Sequence, residues 1–171
     1  LMIECACGAV KRARVAVWDG RFGWGGRLLE KTFVNYQIRA ERDGGSERAA
    51  AREAAIEWVA EALVGEGNLL LLHGATGTGK THLAAAAVNA LRAEGVATAF
   101  AVVPDLLDWL RATFRPSSGA DFDESFEQLR NVPALVLDDV GAQSDTPWAQ
   151  EKLYQLVNHR LVAGLATLCT S

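Results

Sequence analysis

Cysteine is scarce, with three residues (Cys5, Cys7 and Cys169) in a chain of 171. So few exclude a disulfide framework and favour a reducing, cytoplasmic setting. No apolar run approaches the roughly 18 residues of a membrane span, so no membrane partner is expected. The opening "LMIECACG" lacks the basic stretch followed by an apolar one that a signal peptide requires. Internal repeats and low-complexity tracts are absent too. Half the residues are hydrophobic and 22% are charged, the balance of a soluble globular domain.

Net charge is −4, unevenly spread. Residues 1–52 hold 10 Lys/Arg against 6 Asp/Glu, and the remainder holds 7 against 15. A basic arm on an acidic body is suited to nucleic acid, although ordinary solvation explains the charges equally well. Cys169 lies in an apolar stretch and reads as a small core residue. Cys5 and Cys7 form Cys-x-Cys, half of a zinc site at most, with no His or Cys close enough in sequence to complete it.

Residues 1–45 read as an irregular arm and linker, punctuated by "DGRFGWGG" and "RDGGS". From Ser46, which can cap it, an alanine-rich helix is expected with Ile56, Val59 and Leu63 on one face. Gly65 and Gly67 end it. "NLLLLHG" then has the length and composition of a strand buried on both sides. Lys80 to Glu94 is helical, "ATAFAVV" is a second strand, and Pro104 starts a helix carrying Leu106, Leu107 and Leu110. "RPSSGADFD" breaks that helix, and Phe122, Phe126 and Leu129 mark another. "ALVLDD" is a third strand. Thr146-Pro147 caps a helix lined by Leu153, Leu156, Val157 and Leu161, and "ATLCTS" is a fourth strand. This alternation predicts an α/β fold with right-handed crossovers and a parallel sheet over residues 46–171.

The strongest chemical signal is "GATGTGKT", Gly74 to Thr81, between a strand and a helix. Phosphates need donors at close range, so Gly77 and Gly79 free the backbone to curl and point N–H groups inward. The helix N-terminus adds partial positive charge, Lys80 can reach the β- and γ-phosphates, and the Thr81 hydroxyl can ligate Mg²⁺. The second signal is Asp138-Asp139 at the tip of the third strand. Their side chains point opposite ways, so Asp138 can hold the Mg²⁺ shell while Asp139 orients, or takes a proton from, the attacking water. "DDVG" is also good turn chemistry; its position downstream of a phosphate loop favours the functional reading. His73 and His159 suggest no metal site. "PDLLDWLRATF" has the pattern of a core helix, and Trp109, Arg111 and Arg115 could instead meet single-stranded nucleic acid.

With these motifs placed, the sequence resembles the AAA+ ATPases of the DnaC-like helicase-loader clade and their relatives, the IstB-like transposition helpers. The matching stretches are "TFVNYQI", "LLLLHGATGTGKTHLA", "VPDLLDWLRATF", "LVLDDVGAQSDTPWAQEKLYQLVNHR" and "TLCTS", spanning about residues 29–171. The resemblance implies a P-loop three-layer fold, and it implies that ATP and Mg²⁺ bind here. Gly74, Gly77, Gly79, Lys80 and Thr81 match Walker A, with Ala75, Thr76, Thr78 and His82 in the same nucleotide-contacting stretch. Asp138 and Asp139 match Walker B, where most relatives carry Glu in the second position. "PDLLDWLR" matches the region associated with single-stranded DNA, which raises the expectation for Arg111 and Arg115. Cys5 and Cys7 resemble the second half of an N-terminal zinc site.

The resemblance further implies a replicative helicase as partner, or a transposase in the alternative reading, and assembly into a homo-oligomer. A nucleotide-binding adaptor without turnover is the rival from another class. Leu1 and the closing "ATLCTS" suggest a piece of a longer protein, without the fifth strand, sensor residue, arginine finger and helical lid of the family. Such a piece is expected to leave the phosphate-loop strand exposed and to turn ATP over poorly.

Overall fold

In the computed structural model of the chain, which describes residues 24–38, 45–114, 121–142 and 146–171, the leucine run forms the first of four parallel strands. These are β1 (Leu69–Leu72), β2 (Thr98–Val102), β3 (Ala134–Asp138) and β4 (Ala166–Thr170), in the order β1-β4-β3-β2. The terminal strand is therefore interior. Leu70 pairs with Leu168 on one side of it, and Leu168 with Val136 on the other. Helices α1 (Gly45–Val64), α2 (Lys80–Ala93), α3 (Val103–Thr113), α4 (Phe122–Asn131) and α5 (Pro147–Val162) complete the described elements, with a short 3-10 turn at Gly26–Glu30.

Because successive strand residues face opposite ways, the sheet feeds two cores. Phe100, Val136 and Leu168 pack with α1 and α2 through Trp58, Leu83, Val88 and Leu91. Leu135, Leu137 and Cys169 pack with α3, α4 and α5 through Leu106, Leu110, Phe126 and Leu156. Helices on both faces make the three-layer α/β architecture expected from the alternation.

Three expectations need correction. The leucine strand is not buried on both sides, since Leu69 is 41% and Leu71 58% exposed. It lies at the sheet edge, and the helices on that side pack on β4 and β2. Ser46 falls inside the first turn of α1 rather than capping it, and the buried face is Ala55, Trp58 and Val59, with Leu63 exposed. Trp58 sets that rotation, its indole N–H donating to Asn68 O at 3.2 Å. On α5 Leu161 is exposed and Arg160 fully buried. Thr146 caps α5 as expected, accepting from the Ala149 N–H.

Candidate functional site

Residues 73–79 turn from the tip of β1 into α2. Gly79 is the N-cap of α2 with φ 94°, a left-handed conformation that side chains resist. Lys80 opens the helix, so the positive end of its dipole faces the loop. The Lys80 ammonium crosses the loop and donates to Gly74 O at 2.6 Å and Ala75 O at 3.1 Å. Thr78 braces the turn through its own hydroxyl, which donates to Ala75 O at 2.9 Å. The chain end is knitted in as well. Gly74 N–H donates to Ser171 O and Ser171 N–H to Leu72 O.

Beyond the intervening β4, β3 delivers Asp138, only 3% exposed. Its Oδ1 accepts from the Thr81 hydroxyl at 3.1 Å and from the Thr170 hydroxyl at 2.6 Å. Burial pushes the Asp138 carboxyl above the usual range, the Thr170 and Thr81 hydroxyls pull it back, Asp139 raises it and Lys80 lowers it. Asp139 follows with φ 58°, an uncommon conformation for a side-chain-bearing residue. Its N–H donates to Thr170 Oγ1 at 3.0 Å. The loop, the carboxylate pair and the tip of β4 thus meet at one edge of the sheet, the C-terminal edge where open α/β sheets bind ligands.

Beside the loop lies a cavity of ≈ 470 Å³ whose walls include Tyr36, Arg48, Ala51, Ala54, Leu70 and Lys80. Apolar walls beside a glycine-rich turn and a helix N-terminus can hold a flat heterocycle joined to phosphates. The Thr81 hydroxyl and Asp138 carboxylate are hard oxygen donors of the kind Mg²⁺ takes, together with phosphate oxygens and water. A Mg²⁺ therefore fits this donor set.

The expected nucleotide residues Gly74, Ala75, Thr76, Gly77, Thr78, Gly79, Lys80 and Thr81 are all gathered in this loop and the start of α2. His82 is turned elsewhere. Its Nε2 lies 3.0 Å from both Thr32 O and Asn35 Oδ1. Arg111 donates to Thr146 Oγ1 at 2.8 Å and lies 4.9 Å from the centre of the Trp148 ring. Cys5, Cys7 and Arg115 lie outside the described residues; among those described, no cluster of His, Cys, Asp and Glu could hold a metal. Nor is any described helix long and apolar enough to cross a membrane.

Three contributors escaped the reading of the sequence. Tyr36 donates from its hydroxyl to Thr78 O at 2.9 Å, although 42 residues separate them. Thr32 and Asn35 bond each other reciprocally and meet His82. The "TFVNY" match was the signal that could have placed them at the loop.

Residues 28–171 match the family described as IstB-like ATP binding protein. Among curated proteins, the replicative helicase loader DnaC of Escherichia coli strain K12 is 32% identical over 131 residues, covering 75% of this chain and 50% of that protein. The chain thus spans about half the length of the curated relatives it matches first. A crystal structure of the DnaC helicase loader superposes with a TM-score of 0.71 at 25% identity, over 86% of this chain and 79% of that one. The replication initiator DnaA bound to AMPPCP and single-stranded DNA gives 0.66 at 25%, over 83% and 41%. With a parallel sheet in this order and a phosphate loop between β1 and α2, the chain is a P-loop α/β domain of AAA+ type and belongs to the IstB-like ATP-binding family.

Proposed function

We propose that this chain is the ATP- and Mg²⁺-binding core of a helicase loader acting on single-stranded DNA. The observation that carries the reading is the 3.1 Å hydrogen bond from Thr81 to Asp138, which joins the phosphate loop to the acidic strand tip across the sheet. Gly74 to Gly79 wrap the phosphates with backbone N–H groups, and Lys80 exchanges loop carbonyls for phosphate oxygens. Thr81 and Asp138 would hold Mg²⁺, which when bound neutralises charge on the phosphates. Asp139 orients the attacking water and takes its proton. Its φ of 58° turns the chain away from the line of β3.

Turnover in this reading needs assembly, with a neighbouring copy completing the site, so the isolated chain binds ATP and hydrolyses it slowly. The loader reading is favoured over a transposition helper by the similarity to DnaC, with a replicative helicase as partner. For the DNA contact, α3 is followed at its C-cap by Phe114, 58% exposed and stacked on Phe122 at 4.7 Å. With Arg111 beside Trp148, this aromatic, basic face suits nucleobases and phosphates.

Titration of the chain with a fluorescent ATP analogue and Mg²⁺ tests the site. Micromolar binding that disappears in Lys80→Ala and loses its Mg²⁺ dependence in Asp138→Asn is expected. No saturable binding by the unaltered chain would overturn the reading. Crosslinking to oligo-dT that falls in Phe114→Ala, and co-purification with a replicative helicase rather than a transposase, test the partners.

A further inference from the structure

Residues 28–36 run as a strap over the start of α2, and they are tied down at every turn. Asn89 of α2 donates to Leu28 O at 2.9 Å and Lys31 O at 2.8 Å. Arg52 of α1 donates to Phe33 O at 2.9 Å. His82 meets Thr32 O and Asn35 Oδ1. At the end of the strap Tyr36 reaches the phosphate loop, and the two are fitted to each other. A Cβ built on Gly79 would lie 2.6 Å from Tyr36 Cε2, so the ring occupies the space a side chain would need. His82 packs edge-on to the same ring at 5.2 Å.

The Tyr36 hydroxyl donates to the Thr78 carbonyl at 2.9 Å. A trans peptide is planar, with its C=O and N–H directed oppositely. Holding the Thr78 carbonyl toward Tyr36 therefore turns the Gly79 N–H to the other side of the loop. Glycine at positive φ is permissive, so this peptide has alternative orientations unless something outside the loop selects one. Burial raises the Tyr36 hydroxyl's pKa, with Arg48 lowering it, so the group remains a donor at neutral pH.

We infer that Tyr36 is a positioning residue of the phosphate loop: its hydroxyl fixes the Thr78–Gly79 peptide so that the Gly79 N–H is presented to a bound phosphate, and the strap at 28–36 holds the tyrosine in place. This rests on the loop binding nucleotide, as proposed above. The strap thereby couples the segment before α1 to phosphate affinity, without itself touching the phosphates.

The experiment measures ADP and adenosine binding to the full chain by competition with a fluorescent ADP analogue. Tyr36→Phe keeps the ring and removes only the hydroxyl. It is expected to weaken ADP about fivefold, because a hydrogen bond of about 1 kcal/mol no longer selects the loop conformer, while adenosine binding stays unchanged and the free chain melts only a few degrees lower. Asn35→Ala, which loosens the strap from His82, is expected to weaken ADP selectively by a smaller factor. Unchanged ADP affinity in Tyr36→Phe would overturn the inference and leave the nucleotide site standing. An equal loss for ADP and adenosine would also overturn it, because the tyrosine would then act through the base cavity. Absence of ADP binding by the unaltered chain would overturn the nucleotide reading itself, and this inference with it.

Discussion

The Thr170 hydroxyl at the tip of β4 donates to Asp138 Oδ1 at 2.6 Å, and its own Oγ1 accepts the Asp139 N–H at 3.0 Å. One hydroxyl thus links the two acidic residues and holds the strand end around them. Thr170→Val preserves shape and removes both interactions. A destabilisation of about 1–3 kcal/mol is expected, because a hydrogen bond is lost and the Asp139 N–H loses its acceptor. Urea unfolding measures it. Mg²⁺-dependent nucleotide binding should weaken in the same variant, since Asp138 then depends on Thr81 alone for its donor.

Asp138 predicts a pH dependence. Its carboxyl is raised in the folded chain, chiefly by burial. A folded state that holds a proton more tightly than the unfolded state loses stability as pH rises from the ordinary carboxylate value through the raised one, and does not regain it above. Asp138→Asn removes that slope, and its amide oxygen still accepts from both threonines. The variant is expected to melt higher than the parent at neutral pH. That advantage should vanish at acid pH, where the parent's carboxyl is protonated, and the variant should lose Mg²⁺ dependence. A parent whose melting temperature rises between pH 4 and pH 7 by more than the variant's would contradict this account.

How far the sequence foretold these features depends on the range of the interaction. Strand and helix alternation, the loop at 74–81 and the carboxylate pair are local patterns with local causes, and they appear where the residues placed them. The edge position of β1 followed only from the family resemblance, because periodicity carries no information on strand order. Leu63 and Leu161 were assigned to buried faces by spacing alone, yet both are exposed. On α1 the helix rotates to seat Trp58, and on α5 it rotates to seat Arg160, and neither preference registers in a count of apolar positions. Tyr36 was missed for a related reason. Its partner is a main-chain carbonyl far along the chain, and backbone acceptors leave no mark on composition.

Gly67 offers a test of close packing. A Cβ there would meet Gly164 O at 2.2 Å and Ala166 N at 2.4 Å, both main-chain atoms that cannot swing aside. The contact sits where the chain enters β1 beside the start of β4, next to the 2.9 Å hydrogen bond from Thr167 N–H to Asn68 O. Gly67→Ala is expected to cost about 3 kcal/mol, at the upper end for overpacking. Gly65 is the control: φ is +81° with open space around it, so Gly65→Ala carries only the left-handed penalty of about 1–2 kcal/mol. Denaturant midpoints of the two variants should keep that order.

Arg160 is fully buried and donates five hydrogen bonds. Its guanidinium donates to Thr167 Oγ1, to Leu129 O, Arg130 O and Val132 O at the end of α4, and to Ala166 O. Among the described residues no carboxylate balances it, and burial lowers its pKa to about 9, with Cys169 nearby raising it. The planar fork therefore serves as a clamp joining α4, α5 and β4, in place of the carbonyl partners that a helix C-terminus and a strand entry otherwise find in water. Arg160→Leu leaves these acceptors buried and unmatched, and a loss of about 3–5 kcal/mol is expected. Arg160→Lys keeps the charge but has a single ammonium, which cannot span the acceptors, so it should recover less than half of that loss. A lysine variant as stable as the parent in urea unfolding would show that charge alone, not the fork, holds the three elements together.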